Sequence, residues 1–244
     1  MSALYDTVGV NYSNLRLPDP RLAAPILEAL GEAKTVLNVG AGAGSYEPAD
    51  RHVTALEPSL EMIRQRAPHG APVIQGLAEA LPFTDESFDA AMAVLTVHHW
   101  ADQRRGLAEM RRVARGPVVI LTFDRDVRPW LTDYLPALAE LDLVQMPAMD
   151  EYEQALGPVR IDPVPIPFDC SDGFLYAYWR RPSAYLDERL RAGSSSFWAL
   201  DDTAEGLARL ARDLKTGAWE RRYADLLQRD ELDLGYRLVV TLPR

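Results

Sequence analysis

The chain has 244 residues, 48% of them hydrophobic and 25% charged, which suits one domain with a sizeable core and an insertion. Its formal net charge of −10 repels phosphate backbones and anionic lipid, so nucleic acid and membrane surfaces are excluded as default partners. One cysteine, Cys170, excludes an internal disulfide and fits a reducing compartment. With no secretory pattern at the start of the sequence and no run of about 18 apolar residues, a cytoplasmic chain without a membrane span is expected.

The first periodic segment is Arg21–Leu30, with Leu22, Ile26 and Leu30 at helical spacing and Gly31 placed to stop it. Thr35–Val39 is a short apolar strand that runs into a glycine loop, and His52–Leu56 is a second strand. Ser59 is placed to cap a helix over Leu60–Arg66, and Val73–Gln75 reads as a third strand. Phe88–Val97 is almost wholly apolar, as a strand buried on both faces should be. Asp102 caps a predicted helix Gln103–Arg115 ended by Gly116, and Val118–Phe123 is the fifth strand. This alternation predicts an α/β fold, a mostly parallel sheet with helices on both faces.

Beyond Phe123 the pattern loosens. Trp130–Leu141 reads as a helix. Val159–Pro167 contains Pro163, Pro165 and Pro167, so it can be only an edge strand or an extended loop. Asp172–Asp230 reads as helical, with Leu207, Leu210, Ala211 and Leu214 on one stripe, and Tyr236–Leu242 is a closing strand. The helical block therefore stands as an insertion before the last strand.

The chemistry concentrates where the first strand ends. Gly40, Gly42 and Gly44 alternate directly after it, allowing a tight turn and close approach of a ligand to backbone. Glu57 closes the second strand, with Pro58 behind it; in doubly wound folds an acid there accepts hydrogen bonds from a ribose diol. A dinucleotide fingerprint requires a glycine at position 45, where Ser45 stands. The spacing G-x-G-x-G thus fits S-adenosylmethionine, which has no phosphate to cradle, better than a pyrophosphate. A glycine turn with no ligand is the plain alternative.

The segments VLNVGAGAG (Val36–Gly44), LEPS (Leu56–Ser59), GLAEALPFTDESFDAAM (Gly76–Met92) and LTVHHWAD (Leu95–Asp102) together resemble class I S-adenosylmethionine-dependent methyltransferases of the type 11 group, over roughly Tyr5 to Phe123. The resemblance implies a Rossmann-like, seven-stranded sheet in the order 3-2-1-4-5-7-6, the seventh strand antiparallel. With the helical block read as an insertion, the chain divides into a cofactor domain, 1–171 and 231–244, and a helical cap, 172–230. It implies a cofactor cradle of Asn38, Gly40, Ala41, Gly42, Gly44, Glu57, Pro58, Leu77, Ala78, Glu79 and Thr96, with Tyr5 and Tyr12 like the tyrosines that fold over the cofactor. Two positions depart from the family pattern. Asn38 stands where an acid is usual, and Leu77 replaces the aspartate that receives the adenine amino group. Adenine is then left to backbone at Ala78, to Glu79, or to apolar contact with Pro58 and Leu77.

Methyl transfer from a sulfonium needs the nucleophile held in line, and a base only where the acceptor must lose a proton. His98 and His99, at the end of the fourth strand, are the candidates for such a base, or else residues that fix the local loop. Asp124 either orients an acceptor or starts a turn. Phe174, Tyr176, Tyr178, Trp179, Phe197 and Trp198 either roof an acceptor pocket or form core. Cys170 reads as a small buried group, and His52 and His69 lack metal-ligand spacing, so no metal is expected. The sequence points to a methyltransferase acting on a small-molecule acceptor, as a monomer or homodimer. An oxidoreductase is disfavoured by Ser45. Asn38 and Leu77 keep open a protein that binds S-adenosylmethionine or S-adenosylhomocysteine without methyl transfer.

Overall fold

A computed structural model describes residues 16–243. The first described helix, α1 (Pro20–Leu30), starts at Asp19, whose carboxylate accepts from the Arg21 N–H, and stops at Gly31 with φ 53°. It buries Leu22, Ile26 and Leu30 against the sheet, the three residues whose spacing predicted it.

The strands are β1 (Thr35–Val39), β2 (His52–Glu57), β3 (Val73–Gln75), β4 (Ala90–Val94), β5 (Val118–Phe123), β6 (Val159–Pro163) and β9 (Tyr236–Thr241), with a separate two-residue ladder between β7 (Ile166–Pro167) and β8 (Glu231–Leu232). The seven-stranded sheet runs β3-β2-β1-β4-β5-β9-β6. β1 to β5 are parallel, and β9 is antiparallel to both β5 and β6. This is the Rossmann-like order implied by the resemblance, with β9 as its antiparallel strand. Proline-rich β6 lies on the edge, where a missing backbone donor is tolerated.

Alternate side chains of the strands feed two cores. On one face Leu37, Val39, Ala91 and Ile120 meet Leu107, Met110 and Val113 of α3 (Gln103–Val113), a helix that follows α2 (Leu60–Arg64) in the chain. On the other, Val36, Met92, Leu121 and Phe123 meet α1, and this core continues without a break into Trp130, Trp179, Tyr185 and Trp219. Residues from 172–230 therefore share a core with the sheet.

Several predicted elements are shorter or broken. The fourth strand spans Ala90–Val94; Leu95 adopts φ 51° and turns the chain out of the sheet, and Val97–His99 is a 3₁₀ turn. The histidines therefore do not end the strand but follow it. Trp130–Leu141 is two pieces, a 3₁₀ turn Trp130–Asp133 and α4 (Ala137–Gln145), separated at Pro136, whose ring cannot continue the preceding turn. After α5 (Met149–Leu156) the chain forms β6 and β7. The block Asp172–Asp230 is irregular until Pro182, then forms α6 (Glu188–Arg191), α7 (Ser195–Trp198), α8 (Ala204–Thr216) and α9 (Ala218–Arg222). In α8 only Leu210 is fully buried, while Leu207 and Leu214 pack half-buried on the core.

The start of this block is pinned to the rest of the protein by a buried polar network. The Asp172 carboxylate accepts from Arg16 Nε at 2.5 Å and from the Tyr46 hydroxyl at 2.8 Å. Asp19 joins it, accepting from the Ser171 N–H at 3.0 Å.

Candidate functional site

All three loop glycines hold left-handed φ values, 67° at Gly40, 53° at Gly42 and 96° at Gly44, so the backbone itself calls for glycine at each. At Gly40 there is a second reason: a Cβ would stand 2.2 Å from Thr96 Oγ1. Thr96, buried at the end of the fourth-strand segment, thus packs directly on the loop. The Gly40 and Ala41 N–H groups donate to the Leu56 carbonyl at 2.8 and 3.0 Å, folding the loop over the end of β2.

Glu57 sits there, 5% exposed. Its carboxylate accepts from the Gly42 N–H at 2.8 Å and from the Ser59 N–H at 3.0 Å. A carboxylate has about four acceptor positions, and these bonds orient it.

Beneath the loop the missing acid is accounted for. Asn38, 2% exposed, donates through Nδ2 to Glu47 Oε1 at 3.1 Å. Arg66 meets both Glu47 oxygens at 2.7 Å and donates to the Gly42 carbonyl at 3.1 Å. The negative charge expected at position 38 is carried by Glu47, and the amide is its donor.

The far rim is apolar. Gly76 N–H donates to the Glu57 carbonyl at 3.3 Å, and Gln75 Nε2 to the Pro58 carbonyl at 3.1 Å, which brings Leu77 beside Pro58. Leu77 is 59% exposed and Leu60 44%. Ala78 is buried. Glu79 faces the other way: its Oε1 accepts from the Ala101 and Asp102 N–H groups at 2.7 and 3.1 Å and fixes the turn before α3. Tyr5 and Tyr12 lie outside the described residues. Asp124 caps a turn, accepting from the Asp126 N–H at 3.1 Å, with Arg237 3.6 Å away. Among the described residues no group of three or more His, Cys, Asp and Glu could hold a metal ion, and no helix is long and apolar enough to cross a membrane.

At the same end of the sheet lies a cavity of about 50 Å³. Leu95 and His98 reach it after β4, Phe123 from the end of β5, Tyr236 from the start of β9, and Phe174 and Tyr176 from 172–230. Its rings meet at angles: Phe174 to Tyr236 at 4.7 Å, Phe123 to Tyr176 at 5.2 Å. Of the other aromatics, Trp179 is core, its indole N–H donating to the Ile166 carbonyl at 3.0 Å. His98 lines the cavity, and the His99 ring lies against the His98 ring, their centroids 3.9 Å apart and their planes tilted by 48°. Asp142 also lines it. Sequence reading missed Asp142, Glu47, Arg66 and Arg16. The signal for Asp142 is its place four residues after Leu138, which puts a carboxylate on the buried face of α4. A larger groove of about 1010 Å³ lies along β6 and the end of β9, away from this site. Its arginines are engaged: Arg21 with Asp19 and Asp169, Arg115 with Asp89, Arg160 with Asp162, and Arg111 with backbone carbonyls.

Burial, then the neighbouring His99 and Arg16, hold His98 well below the usual imidazole range; burial and Arg16 lower His99 to about 4. Both rings are neutral at pH 7. In the unfolded chain they titrate near 6.5, so the unfolded state takes up more protons and stability falls as pH drops below that value. Asp142 opposes this: raised by burial to about 6, it holds an extra proton in the folded state between about pH 4 and 6 and gains stability as pH falls. His99 is expected to cost about 1–2 kcal/mol at pH 5, with His98 acting in the same direction, and Asp142 to offset about 1. Urea unfolding near pH 7.5 and pH 5 should show a net loss that shrinks in His98→Gln/His99→Gln; an equal loss in that variant would assign the acid sensitivity elsewhere.

Comparison with known proteins agrees with this architecture. Residues 37–120 match the family described as Methyltransferase domain. A solved putative methyltransferase from an antibiotic biosynthesis pathway of Anabaena variabilis is 35% identical, covers 93% of this chain and 99% of its own, and superposes with a TM-score of 0.86. Among curated relatives, a malonyl-[acyl-carrier protein] O-methyltransferase of Erwinia billingiae is 39% identical over 39% of this chain and 41% of its own length. A demethylmenaquinone methyltransferase of Renibacterium salmoninarum is 34% identical over 47% of this chain and 56% of its own. The match thus spans about half the length of those two relatives or less. The chain belongs to the class I S-adenosylmethionine-dependent methyltransferases.

The residues fit that cofactor. A left-handed glycine loop, an oriented carboxylate and an exposed apolar rim stand in order around one end of β1, β2 and β3. None of these features supplies the cationic or clustered N–H contacts that a pyrophosphate demands.

Proposed function

We propose that this protein transfers a methyl group from S-adenosylmethionine to a small-molecule acceptor held between the sheet and a cap formed by 172–230. The observation that carries the proposal is the position of the aromatic cavity, at the carboxyl ends of β4 and β5, on the same end of the sheet as the glycine loop and Glu57. S-adenosylmethionine, when bound, supplies a methyl group on a sulfonium with a neutral leaving group. Glu57 and the Gly40–Gly44 loop would hold its ribose, and Pro58 and Leu77 its adenine. Phe123, Phe174, Tyr176 and Tyr236 would orient the acceptor and exclude water. His98 enters as a neutral acceptor of a hydrogen bond; burial, His99 and Arg16 all oppose its protonation, so it positions a hydroxyl or amine better than it keeps a proton. The net charge of −10 supports a small acceptor over nucleic acid, and the lone buried cysteine supports a cytoplasmic location. We infer a monomer or homodimer.

The test is acceptor-dependent release of S-adenosylhomocysteine across a panel of phenols, amines, carboxylic acids and thiols. Release is expected for at least one class and should be lost in Ser196→Phe, which fills the cavity without touching the glycine loop. Tight binding of S-adenosylhomocysteine with no turnover on any class would instead favour a binder, or a reaction other than methyl transfer.

A further inference from the structure

Asp142 is 2% exposed and lies on the inner face of α4, where it lines the aromatic cavity. Its Oδ2 accepts from the Tyr176 hydroxyl at 2.9 Å, and no other hydrogen bond reaches its carboxylate from the described residues. Among the described residues no cation lies within ion-pair distance of it. Arg16 lines the same cavity, but its guanidinium is committed to Asp172 at 2.5 and 3.3 Å. Arg128 is exposed and donates to the carbonyls of Arg125 and Val127. The remaining titratable groups that face the cavity are His98, Tyr176 and Tyr236, all of which are neutral at pH 7. Burial raises the Asp142 carboxyl to about 6 against the hydrogen bond from Tyr176 and the charge of Arg128, so at pH 7.5 it is mostly ionised.

A buried carboxylate with one neutral donor, set among aromatic rings, is the recognition chemistry of an ammonium group, through charge and hydrogen bond, with cation–π contact where a ring face is open. Phe123 and Tyr236 line the cavity beside it, the Phe174 ring already has the Arg16 guanidinium 5.9 Å from its centroid, and Tyr176 holds the carboxylate in place. A cavity of about 50 Å³ takes on the order of four water-sized groups, which suits a primary ammonium and its first carbons. We propose that Asp142 is the specificity-determining residue for an acceptor that carries a protonated amine. This rests on the reading of the cavity as the acceptor site.

The test is calorimetric titration, near pH 7.5, of the protein loaded with S-adenosylhomocysteine. Propylamine, phenethylamine and tyramine are each compared with the alcohol that replaces the amine by a hydroxyl. At least one amine should bind about 10–100-fold tighter than its alcohol, the difference that a charge-assisted over a neutral hydrogen bond supports. Asp142→Asn keeps an acceptor for Tyr176 and should erase this preference while still binding S-adenosylhomocysteine. Equal affinity for amine and alcohol, a preference that survives Asp142→Asn, or no amine bound by protein that does bind S-adenosylhomocysteine would each overturn the inference alone. Failure to bind S-adenosylhomocysteine would overturn the methyltransferase reading as well.

Discussion

Arg66→Met is expected to lower the stability of the folded protein by about 3–5 kcal/mol, the cost of stranding one partner of a buried ion pair. Arg66 and Glu47 have side chains only 5% and 11% exposed and meet at 2.7 Å. Removing the guanidinium leaves Glu47 with the Asn38 amide as its side-chain donor among the described residues, and withdraws the bond to the Gly42 carbonyl. The pair is not a large net gain in itself, since the Arg66 Nε is buried without a partner and both charges have lost their water. Glu47→Gln/Arg66→Met should therefore be less damaging than Arg66→Met alone, a coupling that urea unfolding of the two single variants and the double variant would measure. Additive losses would show that the two residues act separately. The single Arg66 variant should also weaken S-adenosylhomocysteine binding, because Gly42 is gripped by Arg66 on its carbonyl and by Glu57 on its N–H.

The sheet was legible because its strands are short, apolar and separated by capped helices: Asp19, Ser59 and Asp102 each accept from a backbone N–H at a helix start. The position of the glycine loop was equally legible, though not the full reason for it. Alternate glycines suggest room for a ligand, whereas at Gly40 the space is taken by Thr96. Partners distant in sequence were not legible. Asn38 reads as a lost acid until Glu47 is seen beside it, and Glu79 reads as an adenine contact until its bonds to Ala101 and Asp102 are seen. The segment between β7 and β8 was over-read as helix because its aromatic residues carry a core signal without a period. Phe174, Tyr176 and Trp179 are buried from an irregular chain, which no helical or strand spacing announces.

Glu57→Ala is expected to weaken S-adenosylhomocysteine binding by at least about 100-fold. Loss of a charge-assisted contact to the ribose diol accounts for about 1.5–3 kcal/mol, or about 10–100-fold. The remainder comes from the protein itself. Without the carboxylate, the Gly42 and Ser59 N–H groups lose their acceptor, so the loop no longer has its bound shape before the ligand arrives. A surface glutamate at a strand end would leave the free protein unchanged, but Glu57 is 5% exposed and ties β2 to both the loop and the cap of α2. The alanine variant should therefore also unfold more easily, by about 1–3 kcal/mol for the buried Ser59 donor left unsatisfied, with a smaller share from the half-buried Gly42 donor. Glu57→Gln is no halfway case. An amide has one acceptor oxygen, so its NH₂ must face one of the two N–H groups that now donate to Glu57. Its stability should fall close to that of the alanine variant. Calorimetric titration with S-adenosylhomocysteine, paired with urea unfolding of each variant, separates the two contributions. Full stability with reduced affinity would make Glu57 a ligand contact alone, and unchanged affinity would remove it from the site.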